Sequence, residues 1–186
     1  MEMTTEQKRQ FSLSLGSIVL MLGVLSFVGV IGWAYIEQNR TLGENRPAPT
    51  FTLTTFDGEE FALEDYRGQI VILNFWASWC APCHAEAPDL QRIHERYAER
   101  GVVLVGITYS ETSVEDSLNF IEQYGLTYRN GADPRIRIAN AYRITGVPET
   151  FVIGRDGKIV KYYPGSVNEA LLSEVLETLL AEDNAS

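Results

Sequence analysis

From Phe11 to Ile36 the chain carries no charged side chain, FSLSLGSIVLMLGVLSFVGVIGWAYI, and this run constrains the fold more than any other feature. At ~1.5 Å per helical residue it reaches roughly 39 Å, enough to cross a hydrocarbon core about 30 Å thick with some tilt. Trp33 and Tyr35 near its end suit the interfacial belt, and Lys8 and Arg9 just before it favour a cytoplasmic N-terminus with the remainder exported. Glu2, Glu6, Arg40 and Arg46 weaken that charge asymmetry. A cleaved signal peptide has an apolar region of only about 7–15 residues ending in a small-x-small site, and Gly32-Trp33-Ala34 matches it poorly. The expected organisation is therefore a cytoplasmic N-terminus over 1–10, a transmembrane anchor over 11–36, a polar linker over 37–49 with prolines at 47 and 49, and one domain over 50–186.

The formal charge of −10 falls on the part beyond the anchor. Residues 1–46 balance four acidic against four basic side chains, whereas the rest holds 21 acidic and 11 basic. With no Lys/Arg stripe, nucleic-acid binding is disfavoured. The acidity reads as solubility or, more sharply, as attraction to basic protein partners.

Within the domain, FTLTTF (51–56), an Asp57-Gly58 turn and EEFAL (59–63) read as a small hairpin. IVILNFW (70–76) and VVLVGI (102–107) read as buried central strands, and 81–99 as a helix with Leu90, Ile93 and Tyr97 on one face. Further helices are expected over 114–124, capped by Ser113 and stopped by Gly125, near 135–142, and from after Ser166 to about Ala181. ETFVI and KIVKYY flank the Arg155-Asp156-Gly157 turn as an antiparallel pair. This alternation predicts a three-layer α/β/α domain with an N-terminal β-hairpin extension.

The two cysteines of the chain stand in WCAPCH, residues 79–84. A bridge between positions three apart closes almost no loop, so it stabilises little, and chemistry is the better reason for its presence. Placed between a strand and a helix, Cys80 meets unpaired N–H groups and the positive helix end, which favour a thiolate. Cys80 is then the accessible attacking sulfur and Cys83 the shielded resolving one, with Pro82 tolerated in the first helical turn. Cys-x-x-Cys followed by His84 is also a haem-attachment pattern. Haem ligation ordinarily uses a second axial group, yet Met1, Met3 and Met21 lie in the anchor region and His94 on the same helix. Zinc spacing is not met either.

NFWASWCAPC, Pro88 and GVPETF together resemble the thioredoxin superfamily, and more narrowly its membrane-anchored TlpA/ResA/CcmG branch, over roughly residues 47–181. The resemblance implies a thioredoxin-like fold, a cis Pro148 facing the cysteines, and Val147 offering its backbone to a substrate strand. It implies that Trp76 and Trp79 shape the surface around the sulfurs. The thioredoxin aspartate is replaced by Asn74, which cannot exchange a proton, so another group must serve Cys83. Glu86 and Glu149 are the candidates, each with a plain alternative as a solvated surface glutamate. His84 reads as an exposed helix residue or, if protonated, as support for a neighbouring thiolate; His94 has only a packing role. Peroxiredoxins share the fold but carry Thr or Ser where this chain has Ala77.

The resemblance also implies the partners: disulfides of exported proteins, apocytochrome c among them, and a membrane thiol reductase as electron donor. The expected protein is a monomeric, membrane-anchored extracytoplasmic thiol–disulfide oxidoreductase with no cofactor and no metal. The alternatives are a general disulfide oxidant or isomerase, a peroxiredoxin-like antioxidant, and a non-catalytic holdase.

Overall fold

Leu15–Gln38 forms a single helix, α1, whose apolar stretch Gly16–Ala34 is 19 residues long and contains no buried residue. At ~1.5 Å per residue that stretch matches a hydrocarbon core about 30 Å thick. The computed structural model describes residues 15–38 and 42–183. The expected cytoplasmic stretch 1–10, residues 11–14 of the expected anchor, 39–41 of the expected linker and 184–186 therefore lie outside the described residues. The chain divides into a unit ending at Arg40 and a second beginning at Thr41.

In the second unit, β1 (Thr52–Thr54) and β2 (Glu60–Ala62) form the expected hairpin around the Asp57-Gly58 turn. A five-stranded sheet follows, built from β3 (Ile70–Trp76), β4 (Val102–Thr108), β5 (Arg129–Ala132), β6 (Glu149–Ile153) and β7 (Ile159–Pro164). Its order is β5-β4-β3-β6-β7, with β3, β4 and β5 parallel and β6 and β7 antiparallel to their neighbours. All seven residues of β3 are buried, as an apolar run with both faces covered requires. One face packs α2 (Ala81–Tyr97), α3 (Val114–Tyr124) and α5 (Glu169–Asp183) through Leu90, Ile93, Phe120, Leu172 and Leu176. The other packs the hairpin and α4 (Arg137–Ala141) through Phe61, Phe75, Ile138, Tyr142 and Phe151. Each fully buried Leu or Ile here contributes roughly 1.5–3 kcal/mol relative to exposure. The domain is the thioredoxin-like three-layer α/β/α arrangement.

Several boundaries differ from the sequence reading. Helix α2 ends at Tyr97 and a 3-10 turn, Ala98–Arg100, completes the stretch expected to be helical to 99. Helix α4 is shorter than 135–142, and α5 begins at Glu169 and runs to Asp183. Strand β5 had no counterpart in the periodicity. The expected linker is not a free tether over its described part. Asn45 N donates to Ile159 O at 2.7 Å, Ile159 N to Arg46 O and Ala48 N to Gly157 O, with Glu44 paired to Lys161. Those bonds occupy the open edge of β7, which explains why a polar, proline-bearing segment is ordered there.

Candidate active site

Strand β3 leaves the core at Trp76 and turns through Ala77–Cys80, closed by Cys80 N donating to Ala77 O at 3.2 Å. Cys80 is the N-cap of α2, in an extended conformation (φ −85°, ψ 104°). Its sulfur accepts from Cys83 N at 3.2 Å, a donor it shares with the Cys80 carbonyl oxygen at 3.0 Å. Pro82 occupies the first turn, where no N–H is needed. The two cysteines form a disulfide with Cα atoms 5.2 Å apart. The expected contrast between an open Cys80 and a covered Cys83 is absent from this form: they are 3% and 1% exposed. The Cys80 sulfur lies beneath the segment that carries Val147.

That segment joins α4 to β6. The Val147–Pro148 peptide bond is cis, and the Val147 carbonyl oxygen lies 3.5 Å from Cys80 Sγ. Gly165 N donates to Pro148 O at 2.9 Å, and Ser166 Oγ to Pro82 O at 3.4 Å. The loop after β7 thus ties the proline segment to the first turn of α2.

Glu86 is not a surface glutamate; it is 1% exposed. It lies three residues after Cys83, on the same face of α2. Its carboxylate accepts from Asn74 Nδ2 at 2.9 Å and from Val167 N at 3.0 Å. Asn74 reaches it from β3 and also donates to Thr150 Oγ1, its register partner on β6, at 3.0 Å. Burial pushes the Glu86 carboxyl up from 4.5 to about 7, against the two hydrogen bonds that pull it down. It is a buried carboxyl that can gain or lose a proton near neutrality, one helical turn from Cys83.

Glu149 is buried as well, but its surroundings are different. It accepts from Thr145 N at 2.9 Å, Gly146 N at 3.0 Å, Thr145 Oγ1 at 3.3 Å and Tyr162 Oη at 2.7 Å. Four donors brace the backbone leading into Val147–Pro148, and burial together with the Glu149 bond pushes the Tyr162 hydroxyl up.

The turn ahead of Cys80 is held by residues the sequence reading did not single out. Glu111, from the β4–α3 loop, accepts from Ser78 N at 2.7 Å and Ser78 Oγ at 2.9 Å. Trp79 is exposed, and its Nε1 donates to Ser110 O at 3.3 Å. Trp76 instead lies in the core, stacked on Phe120 and donating to Asn130 Oδ1 at 3.0 Å. His84 is not an exposed helix residue: it is half-buried, with Nε2 2.7 Å from Ser78 O and Nδ1 2.8 Å from Tyr124 Oη. The two sulfurs are bonded to each other, and both His84 nitrogens are engaged. His94 packs on Tyr128, burial pulls its pKa down, and its Nδ1 has no partner among the described residues.

The family model described as the AhpC/TSA family matches residues 45–162. The thiol–disulfide oxidoreductase ResA of Geobacillus thermodenitrificans is 31% identical over 173 residues, covering 92% of this chain and 98% of that protein. ResA of Bacillus subtilis is 27% identical over 174 residues, covering 94% and 96%. A solved thiol:disulfide interchange protein of the thioredoxin family from Chlorobium tepidum superposes with a TM-score of 0.67 at 32% identity, over 76% of this chain and 97% of that one. StoA of Bacillus subtilis gives a TM-score of 0.62 at 29% identity, covering 68% and 96%.

Proposed function

Because this chain belongs to the AhpC/TSA family, among its ResA-type thiol–disulfide oxidoreductases, we propose that it reduces disulfides of exported proteins from a membrane anchor. The observation that carries the reading is the Cys80–Cys83 pair at the start of α2, beneath the Val147 carbonyl. An extended substrate segment pairs with the backbone at Val147, which sets its disulfide against Cys80. The Cys80 thiolate attacks one substrate sulfur, and the substrate's other sulfur leaves as a thiolate and takes a proton from water. Cys83 then passes its proton to the Glu86 carboxylate and attacks Cys80 Sγ, releasing the second substrate thiolate and leaving the Cys80–Cys83 disulfide. Two electrons move to the substrate, and a membrane thiol reductase restores the pair.

Helix α1 is the anchor in this reading, and Lys8 and Arg9 ahead of it support an extracytoplasmic domain. The favoured substrate is apocytochrome c, on the resemblance of W-C-A-P-C and V-P-E-T to the cytochrome c maturation branch. Trp79, Pro82, Val147 and Pro148 shape the docking surface, Glu149 holds that surface in place, and the protein works as a monomer. The experiment is an exchange assay with a Cys-x-x-Cys-His peptide disulfide and the full chain. Reduced protein is expected to reduce the peptide, Cys83→Ser to accumulate a mixed disulfide through Cys80, and Cys80→Ser to do neither. A reduction potential above about −150 mV would reverse the direction and make the protein an oxidant. Exchange unaffected by Cys80→Ser would remove the reading altogether.

A further inference from the structure

Every polar atom of Ser78 is held by a side chain from outside its own turn. The N–H and the hydroxyl go to Glu111, and the carbonyl oxygen lies 2.7 Å from His84 Nε2. A carbonyl can only accept, so Nε2 carries the hydrogen. In the neutral ring Nδ1 is then an acceptor, and the Tyr124 hydroxyl, 2.8 Å away, donates to it. The ring also packs against Phe120 at 4.8 Å and Tyr124 at 5.6 Å, which limits its rotation. His84 therefore links three elements: the turn before the nucleophile, the first turns of α2, and the end of α3.

We propose that His84 is a positioning residue for the exchange reaction, acting through the Ser78 carbonyl on the Ala77–Cys80 turn. What this placement controls is whether Cys80 Sγ stays within reach of the Cys83 N–H. In the disulfide form the covalent bond fixes that sulfur. In the reduced form that covalent restraint is gone, its position depends more on the turn and the N–H, and a thiolate there draws a charge-assisted hydrogen bond. Loosening the turn thus weakens the dithiol more than the disulfide. In the balanced reaction, protein disulfide plus two glutathione thiols gives protein dithiol plus glutathione disulfide; His84 itself gains and loses nothing.

The test equilibrates the full chain with reduced and oxidised glutathione at pH 7, as wild type, His84→Ala and His84→Gln. His84→Ala is expected to raise the disulfide-to-dithiol ratio by about three- to tenfold and to lower kcat more than KM for insulin disulfide reduction. His84→Gln, whose amide N–H can reach the Ser78 carbonyl, is expected to recover at least half of both changes. In the unsubstituted protein at pH 8, nitrogen NMR is expected to show His84 with its proton on Nε2. A proton on Nδ1, a His84→Ala variant that loses thermal stability with an unmoved glutathione equilibrium, or a His84→Gln variant no better than alanine overturns the proposal. The inference rests on disulfide exchange and not on the identity of the substrate. Failure of the wild type to equilibrate with glutathione would instead count against the oxidoreductase reading.

Discussion

Glu86 and Glu149 carry the same side chain and are buried to almost the same degree, one on α2 after Cys83 and the other on β6 after Pro148, yet they are suited to different work. Two donors reach Glu86, from Asn74 and Val167, and burial outweighs them, so its carboxyl sits at about 7. Four donors reach Glu149, two of them backbone N–H groups of the segment entering Val147–Pro148. Burial alone does not make a proton carrier. The balance between lost hydration and supplied donors decides whether a buried carboxylate is a movable proton site or a brace.

The largest break in that comparison is expected from Glu86→Gln. The folded chain holds the Glu86 proton up to about 7, whereas an unfolded chain releases it near 4.5. The folded state therefore binds more protons between those values, and stability falls as pH rises across the window. The loss is about 3 kcal/mol for a shift of this size, fully present above the folded value. Glu86→Gln should flatten that slope in denaturant titrations at pH 5 and pH 8, while slowing resolution of the mixed disulfide about 100-fold in single-turnover kinetics. An unchanged slope together with an unchanged rate would make Glu86 a passive group.

Glu149→Gln tests the other carboxylate: placing an amide among four donors is expected to cost about 2 kcal/mol, read as a shift in the denaturation midpoint. Asn74→Ala comes next. It removes one donor from Glu86 and another from Thr150, and should lower stability by about 1–2 kcal/mol. It should also move the Glu86 titration further up. Trp79→Ala is the smallest, within about 0.5 kcal/mol in stability because the residue is 56% exposed. Its effect is expected in KM for a protein disulfide rather than in kcat.

The strands around the disulfide and the cysteine turn were legible in the sequence because their signals are local. An unbroken apolar run marks β3, and C-A-P-C marks the start of a helix after it. Strand β5, R-N-G-A, has no such signal. It exists because β4 offers an edge, Phe56 N donates to Asn130 O, and Gly131 lets the hairpin approach so closely that a Cβ would lie 2.7 Å from Thr54 O. Gly106 on β4 similarly leaves room for the Trp76–Asn130 bond, since a Cβ there would fall 2.0 Å from Asn130 Oδ1.

At the site, the spacing of Glu86 from Cys83 showed which face it shares but not what covers it. The covering loop at Val167 comes from 81 residues away. Glu111 is 33 residues from the serine it holds, and nothing in its local pattern sets it apart from other loop glutamates. His84 could be placed on the helix from sequence, but its partners depend on where α3 ends.

The account depends most on Glu86 exchanging its proton near neutrality beside the resolving cysteine. A carbon NMR titration of the Glu86 carboxyl in the full chain measures this directly. The expected midpoint is about 7. A midpoint at the ordinary carboxylate value of about 4.5 would mean that Glu86 is already ionised throughout the working range and that the proton from Cys83 goes elsewhere.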